Sequence, residues 1–330
     1  MKLKLHTLNT ETLKTTLSLI SPIRKFVILR FSPSQLQIIS VNGQSISSEP
    51  QVWCKLQIGN LFDQIEVQSL RDNTISLEIN VELLLQTLRN FDKANSDSGL
   101  NIILQKKEST GQQGITQGNS RTASLALYYS DTNINTNTVN HTFRIPVKIL
   151  KNTHEAILLR EPELENVDLM MKLPNEFVNT YKRLDKFKKS ESSSNNNSND
   201  LMTIRSSRRN GGYLAFVLQE EGIYKVTISW NKELVIQKPV NSNFNSDSMQ
   251  NVLEEYTLQN EGHTNAEETE VENEITVRLK DWRMASKIVA TCHTVIFLIS
   301  HGDSCVLHCY LDETNEVEII YYVSGVRSYD

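Results

Sequence analysis

Several things are scarce in this 330-residue chain, and each scarcity closes a class of function. The opening MKLKLHTL puts no long apolar stretch after its charges, so no signal peptide is expected. No run approaches the length needed to span a bilayer, so no membrane contact is expected. There are only four cysteines, Cys54, Cys292, Cys305 and Cys309, and in a chain without a secretion signal they read as reduced thiols. Catalytic signatures are missing too: no Walker loop, no GxGxxG, no GxSxG and no HExxH. No cofactor is expected. Hydrophobic content is slightly low at 38%, as in a globular protein with polar inserts.

Three polar stretches stand out: 108–120 (ESTGQQGITQGNS), 190–200 (SESSSNNNSND) and 241–272. None has enough apolar surface to offset the entropy of ordering it, so all three are expected to be disordered inserts. The third dominates the charge. From Asn241 to Glu274 there are nine acidic residues and no Lys or Arg, so removing that −9 from the chain's −5 leaves +4 for the remainder. An acidic insert masks a mildly basic body.

Between the inserts, strand patterning prevails. NTISLEIN alternates Ile75, Leu77 and Ile79 with polar residues, and IYKVTISW does the same with Tyr224, Val226, Ile228 and Trp230. Four segments have helical spacing instead, near 10–21, 81–94, 175–189 and 281–292. Residues 1–150 then spell strand, helix, five strands, helix, three strands. Residues 167–330 spell the same order, and 151–166 joins the two. The expectation is an α+β chain of two similar domains, each with two helices packed on antiparallel sheets.

The helices differ in charge. The second offers Arg89 and Lys93, and the first little beyond Lys14. The third places Lys182, Lys186 and Lys189 on one side with Arg183 beside them, five basic residues against two acids. The fourth places Lys280, Arg283 and Lys287 opposite its apolar stripe. A solvated helix face normally mixes signs, so repeated basic rows suggest a shared anionic partner such as a phosphate backbone. No aromatic interleaves these rows, and mostly Lys is present rather than base-reading Arg, Asn or Gln, so binding without sequence preference is expected.

The two-domain order with basic helices resembles sliding clamps of the PCNA type. The opening MKLKL, the FVILRFS strand, HTFRIPVKIL (141–150), the KDWRMASKI helix start and the tail SHGDSCVLHCYLD…IIYY are similar to one branch, the Hus-one/Mec-three subunit of the heterotrimeric nine-one-one checkpoint clamp. That resemblance covers nearly the whole chain apart from the inserts. It implies a ring with two other checkpoint-clamp subunits, encircling double-stranded DNA in the nucleus. A clamp-loader ATPase would load the ring at damage, where it would serve checkpoint kinase and repair factors. By the same resemblance Arg89, Lys93, Lys182, Arg183, Lys186, Lys189, Lys280, Arg283 and Lys287 would face DNA. The edge strand 141–149, with Phe143, Ile145 and Val147, would meet one neighbour, and strand 223–230, with Tyr224, Val226 and Ile228, the other. Pro146 cannot donate to a ladder, which suits an edge strand or equally a bulge.

Three other readings stay open: a homotrimeric replication processivity clamp, a metal-dependent enzyme built on CHTVIFLISHGDSCVLHC (292–309), and a β-rich adaptor with no DNA role. Against the second, alternation puts Cys305 and Cys309 on one strand face and His308 on the other, with no Cys-x-x-Cys knuckle. That cluster is expected to be core. Asn210-Gly211 between apolar runs reads as a hairpin turn.

Overall fold

Leu3 and Leu5 are buried while Lys2 and Lys4 beside them are exposed, the period-two pattern that makes Lys2–Thr7 a strand with one wet face. The computed structural model describes the chain except residues 42–48, 95, 97, 107–121, 133–137, 151–158, 163, 165, 175, 189–200, 209–211, 221–222, 231, 235, 238–271 and 327–330. The three expected inserts and the Asn210-Gly211 turn therefore lie almost wholly outside the described residues.

Two compact units emerge. The first takes in Met1–Gln44, Gln51–Arg160 and Thr314–Ile319, and the second Ser45–Pro50, Glu161–Glu313 and Ile320–Asp330. The division at Arg160 falls inside the expected connector, but a short late segment belongs with the first unit, because contacts rather than chain order define a unit.

In the first unit the order is β1 (Lys2–Thr7), α1 (Glu11–Ile20), β2 (Phe26–Phe31), β3 (Gln35–Ser40), β4 (Gln51–Gln57), one helical turn (Ile58–Leu61), β5 (Gln64–Gln68), β6 (Ile75–Asn80), α2 (Val81–Lys93), β7 (Leu100–Lys106), β8 (Thr122–Thr132) and β9 (Thr138–Ile149). Its strands lie side by side as β4-β3-β2-β6-β9-β8-β7-β1-β5. Their ladders are antiparallel. α1 packs beside α2. Asn80 starts α2 by accepting hydrogen bonds at Oδ1 from the backbone N–H groups of Glu82 (3.0 Å) and Leu83 (3.4 Å). Leu84, Leu85, Leu88 and Phe91 form its buried row.

The second unit runs β10 (Leu169–Leu173), α3 (Phe177–Lys188), β11 (Leu201–Ser207), β12 (Tyr213–Glu220), β13 (Tyr224–Ser229), β14 (Ile236–Gln237), β15 (Asn273–Arg278), α4 (Leu279–Thr291), β16 (Thr294–Ser300), β17 (Ser304–Tyr310) and, from Ile320 on, β18 (Val317–Ser324), whose first residues belong to the first unit. One row of strands is β14-β10-β16-β17-β18 and another is β13-β12-β11-β15. α3 packs beside α4. Trp282 of α4 is 1% exposed and touches the rings of Phe177 on α3, Phe216 on β12 and Phe297 on β16, at centroid distances of 6.3, 5.4 and 5.6 Å. This aromatic cluster ties both helices to both rows of strands.

Three expectations change. Of the strand read over 233–239, Ile236 and Gln237 are strand, Glu233 and the buried Leu234 are not, and 235, 238 and 239 lie outside the described residues. The stretch 292–309, expected to be core, is so for Cys292, Cys305, Cys309 and His308, since β16 and β17 are buried at every position, but His293 and His301 beside those strands are exposed. Alternation fixes which residues share a face but not whether the opposite face is covered. The strand read as an edge over 141–149 is interior in strand order, with β8 on one side and β6 on the other. Its ladder to β6 covers only Val147, Lys148 and Ile149, so Pro146 marks the point where that ladder stops.

Candidate nucleic-acid interface

A helix shows a row of side chains every three to four residues, so spacing decides which charges travel together. On α2 the exposed row is Glu82, Gln86, Arg89 and Lys93, opposite its buried leucines. On α4 the row is Lys280, Arg283 and Lys287. The two lysines are exposed and Arg283 is half-buried, while Leu279, Trp282, Ala285 and Ile288 lie in the core. The one acid of this helix, Asp281, is 1% exposed and accepts from Arg278 Nε at 2.6 Å. Its backbone carbonyl accepts from the Tyr321 hydroxyl at 2.9 Å. Burial, then the charge of Asp281, holds that phenol well above its ordinary range. With Asp281 turned inward, Lys280 and Lys287 are the charges α4 shows to water.

On α3, Lys182 and Arg183 are exposed, while Phe177 and Leu184 are buried. Lys186 lies on the same helix, and Lys189 lies outside the described residues. α1 contributes no unmatched cation. Lys14 Nζ meets Asp92 Oδ2 of α2, and the other oxygen of Asp92 accepts from Thr10 Oγ1 at 2.6 Å. Sequence reasoning passed over Asp92, because no local pattern ties it to a residue 78 positions away.

The strand-edge residues divide by burial. On β9, Ile145 and Val147 are 3% and 5% exposed and belong to the unit's own core, and Val147 is already laddered to Ile79. Phe143 is half-buried, and its ring stacks with Tyr129 and His141 at 6.0 and 6.4 Å. Tyr129 in turn meets Phe91 of α2, so this row faces the helices. Over Val139–Pro146 the only ladder among the described residues is to β8. Among the described residues β13 ladders only to β12. Its Tyr224, Val226 and Ile228 are half-buried, while Lys225, Thr227 and Ser229 are exposed.

The cysteine–histidine stretch does not converge. His293 is exposed, 3.5 Å from Glu313. His301 is exposed and accepts at Nδ1 from the backbone N–H of Glu274 at 3.0 Å, while His308 is buried. Cys305 is fully buried, which pushes its thiol up to about 12 and keeps it protonated, the wrong form for a nucleophile or metal ligand. Among the described residues, no group of three or more His, Cys, Asp or Glu is placed to hold a metal ion.

Several known proteins are similar to this chain. The chain is 27% identical to the DNA damage checkpoint control protein MEC3 of Eremothecium gossypii over 94% of each chain. It is 24% identical to the Saccharomyces cerevisiae protein of that name, over 94% of this chain and 95% of that one. Identity to the checkpoint protein hus1 of Schizosaccharomyces pombe is 28% over 53% of this chain and 54% of the other. Among solved structures, Proliferating Cellular Nuclear Antigen from Entamoeba histolytica matches with a TM-score of 0.58 at 12% identity, covering 98% of this chain and 99% of that one, and so shares the fold. The family model described as Hus1-like protein matches residues 1–327, nearly the full length, and the chain belongs to that family.

Proposed function

We propose that this chain is one subunit of a ring of three different chains that closes around duplex DNA in the nucleus and marks damage for the checkpoint. A separate loader ATPase opens and closes the ring, and the loaded ring is a platform for checkpoint kinases and repair factors. The chain itself performs no covalent chemistry. Family membership, the PCNA fold and relatives named as DNA damage checkpoint proteins support this reading.

The observation that carries the DNA-facing part is the sign of the exposed helix rows. Asp281 is buried against Arg278, and Asp92 is matched to Lys14. What remains exposed, besides Glu82 at the start of α2, includes Arg89 and Lys93 on α2, Lys182 and Arg183 on α3, and Lys280 and Lys287 on α4. Such rows screen phosphate charge without reading bases. Each phosphate neutralised makes log affinity fall with log salt at a slope of about −0.9, so a protein held by these contacts alone washes off as salt rises. A closed ring does not, because leaving requires opening or a DNA end.

The test uses the chain assembled with its native partners and loaded on DNA. High-salt washing should leave it on closed circles and strip it from linear DNA of equal length. Equal loss from both overturns the encircling mechanism.

A further inference from the structure

We propose that the outer rows of the two open strand edges, through Arg144 on β9 and Lys225 on β13, select neighbours whose edge strands carry Asp or Glu and reject a second copy of this chain. The inference rests on the ring reading above and adds what chooses the neighbours.

An open edge offers unpaired backbone groups to any strand, so backbone hydrogen bonding does not discriminate. Nor does the helix-side row. On β9 it presents Val139, 48% exposed, with half-buried His141 and Phe143. On β13 it presents half-buried Tyr224, Val226 and Ile228. Two apolar rows suit one another, so burial alone would favour β9 of one copy pairing with β13 of the next.

The outer rows oppose it. On β9 they are Asn140, Thr142 and Arg144, and on β13 Lys225, Thr227 and Ser229, all exposed and none acidic. A pairing that keeps both helix-side rows on the helix side can shift only in steps of two. The ladders these two strands make with β8 and β12 are antiparallel, and in that sense full overlap sets Arg144 against Lys225, Thr142 against Thr227 and Asn140 against Ser229. A shift one way sets Lys225 against Pro146, with Arg144 and Lys148 on its diagonals. A shift the other way sets it against Thr142, with Arg144 on the diagonal. Directly opposed side chains sit about 5 Å apart at Cβ and diagonal ones about 7 Å, close enough for like charges to repel.

Neither cation is matched within its own chain among the described residues. Arg144 Nε reaches Gln105 Oε1 at 3.5 Å, a neutral acceptor, and Lys225 stands opposite Gln219 in the ladder. Lys148, by contrast, already faces Glu78 across β6. An acidic residue on a neighbouring edge would turn repulsion into attraction at the same spot, which is how charge sets partner choice.

The experiment measures self-association of the purified full chain by sedimentation equilibrium, as wild type and as Arg144→Glu, Lys225→Glu and the double variant. Wild type should be the weakest self-associator. Each single reversal should tighten self-association by about tenfold at low salt. That gain should vanish near 1 M salt, where the screening length is about 3 Å. The double variant restores like charges and should fall back to wild type. Single reversals that leave self-association unchanged, or a double variant that associates as well as the singles, overturn the proposal. Wild-type complexes with native partners still retained on circular DNA in that event would leave the ring standing and remove charge selection alone.

Discussion

Lys14 on α1 and Asp92 on α2 form an ion pair, and Asp92 also accepts the Thr10 hydroxyl at the start of α1. One carboxylate thus holds two helices together and removes the first helix's main positive charge from any role toward phosphate. Lys14→Ala should lower stability by about 1 kcal/mol or less, since the pair is partly exposed. DNA retention of the assembled complex should not change. Salt-washing assays on circular DNA check this, and a loss comparable to that from Lys287→Ala would put α1 among the DNA-facing elements.

Reversing Lys182, Lys280 and Lys287 to Glu should weaken DNA association of the assembled complex before closure. If each meets one phosphate, removing the three makes the log–log salt dependence shallower by about 0.9 per contact. Binding isotherms on short linear duplexes over a salt series would show it. An unchanged slope would mean that these lysines face solvent.

Trp282 should be the most sensitive position in the second unit. Trp282→Ala opens a void among Phe177, Phe216 and Phe297, and such truncations cost about 3–5 kcal/mol, a large part of a typical domain's stability. Trp282→Phe should cost less, because the indole Nε1 has no hydrogen-bond partner among the described residues. Urea unfolding of both variants gives the comparison. Equal loss would show that shape, not apolar volume, is what the cluster requires.

The Cys305 thiol makes a pH-dependent contribution whose sign is set by burial. Burial raises its folded value to about 12 from an ordinary 9.0. The unfolded chain therefore releases this proton first as pH rises, and stability falls from about pH 9 toward pH 12. Tyr321, raised by burial and by Asp281, contributes in the same direction. Cys305→Ala should flatten the decline of the unfolding midpoint above pH 9. An identical slope in both proteins would show that the thiol ionises in the folded state.

Much of the architecture was legible locally. Ile75, Leu77 and Ile79 announce β6, and the half-buried and exposed alternation along β13 follows its sequence residue by residue. The 292–309 stretch was read only in part: β17 is core on both faces as expected, but His293 and His301, at the strand ends, are exposed. Covering depends on what is laid over a strand, which its own alternation does not encode. Pro146 shows the same limit. A missing N–H is visible in the sequence, yet it took the β6 ladder to show that the strand is interior at one end and unpaired along the other flank among the described residues.

By itself, the sequence determined that Lys280, Arg283 and Lys287 share one helix face and that Arg144 shares a strand face with Thr142, because helical and strand periods are local properties of the backbone. Only the tertiary structure decided which charges stay unmatched. Asp92 reaches across 78 residues to Lys14, and Asp281, next along α4 from Lys280, is buried against Arg278. Those outcomes depend on which faces meet when the helices pack, and distant segments meet through the burial of their apolar rows rather than through any pattern in the charged residues themselves.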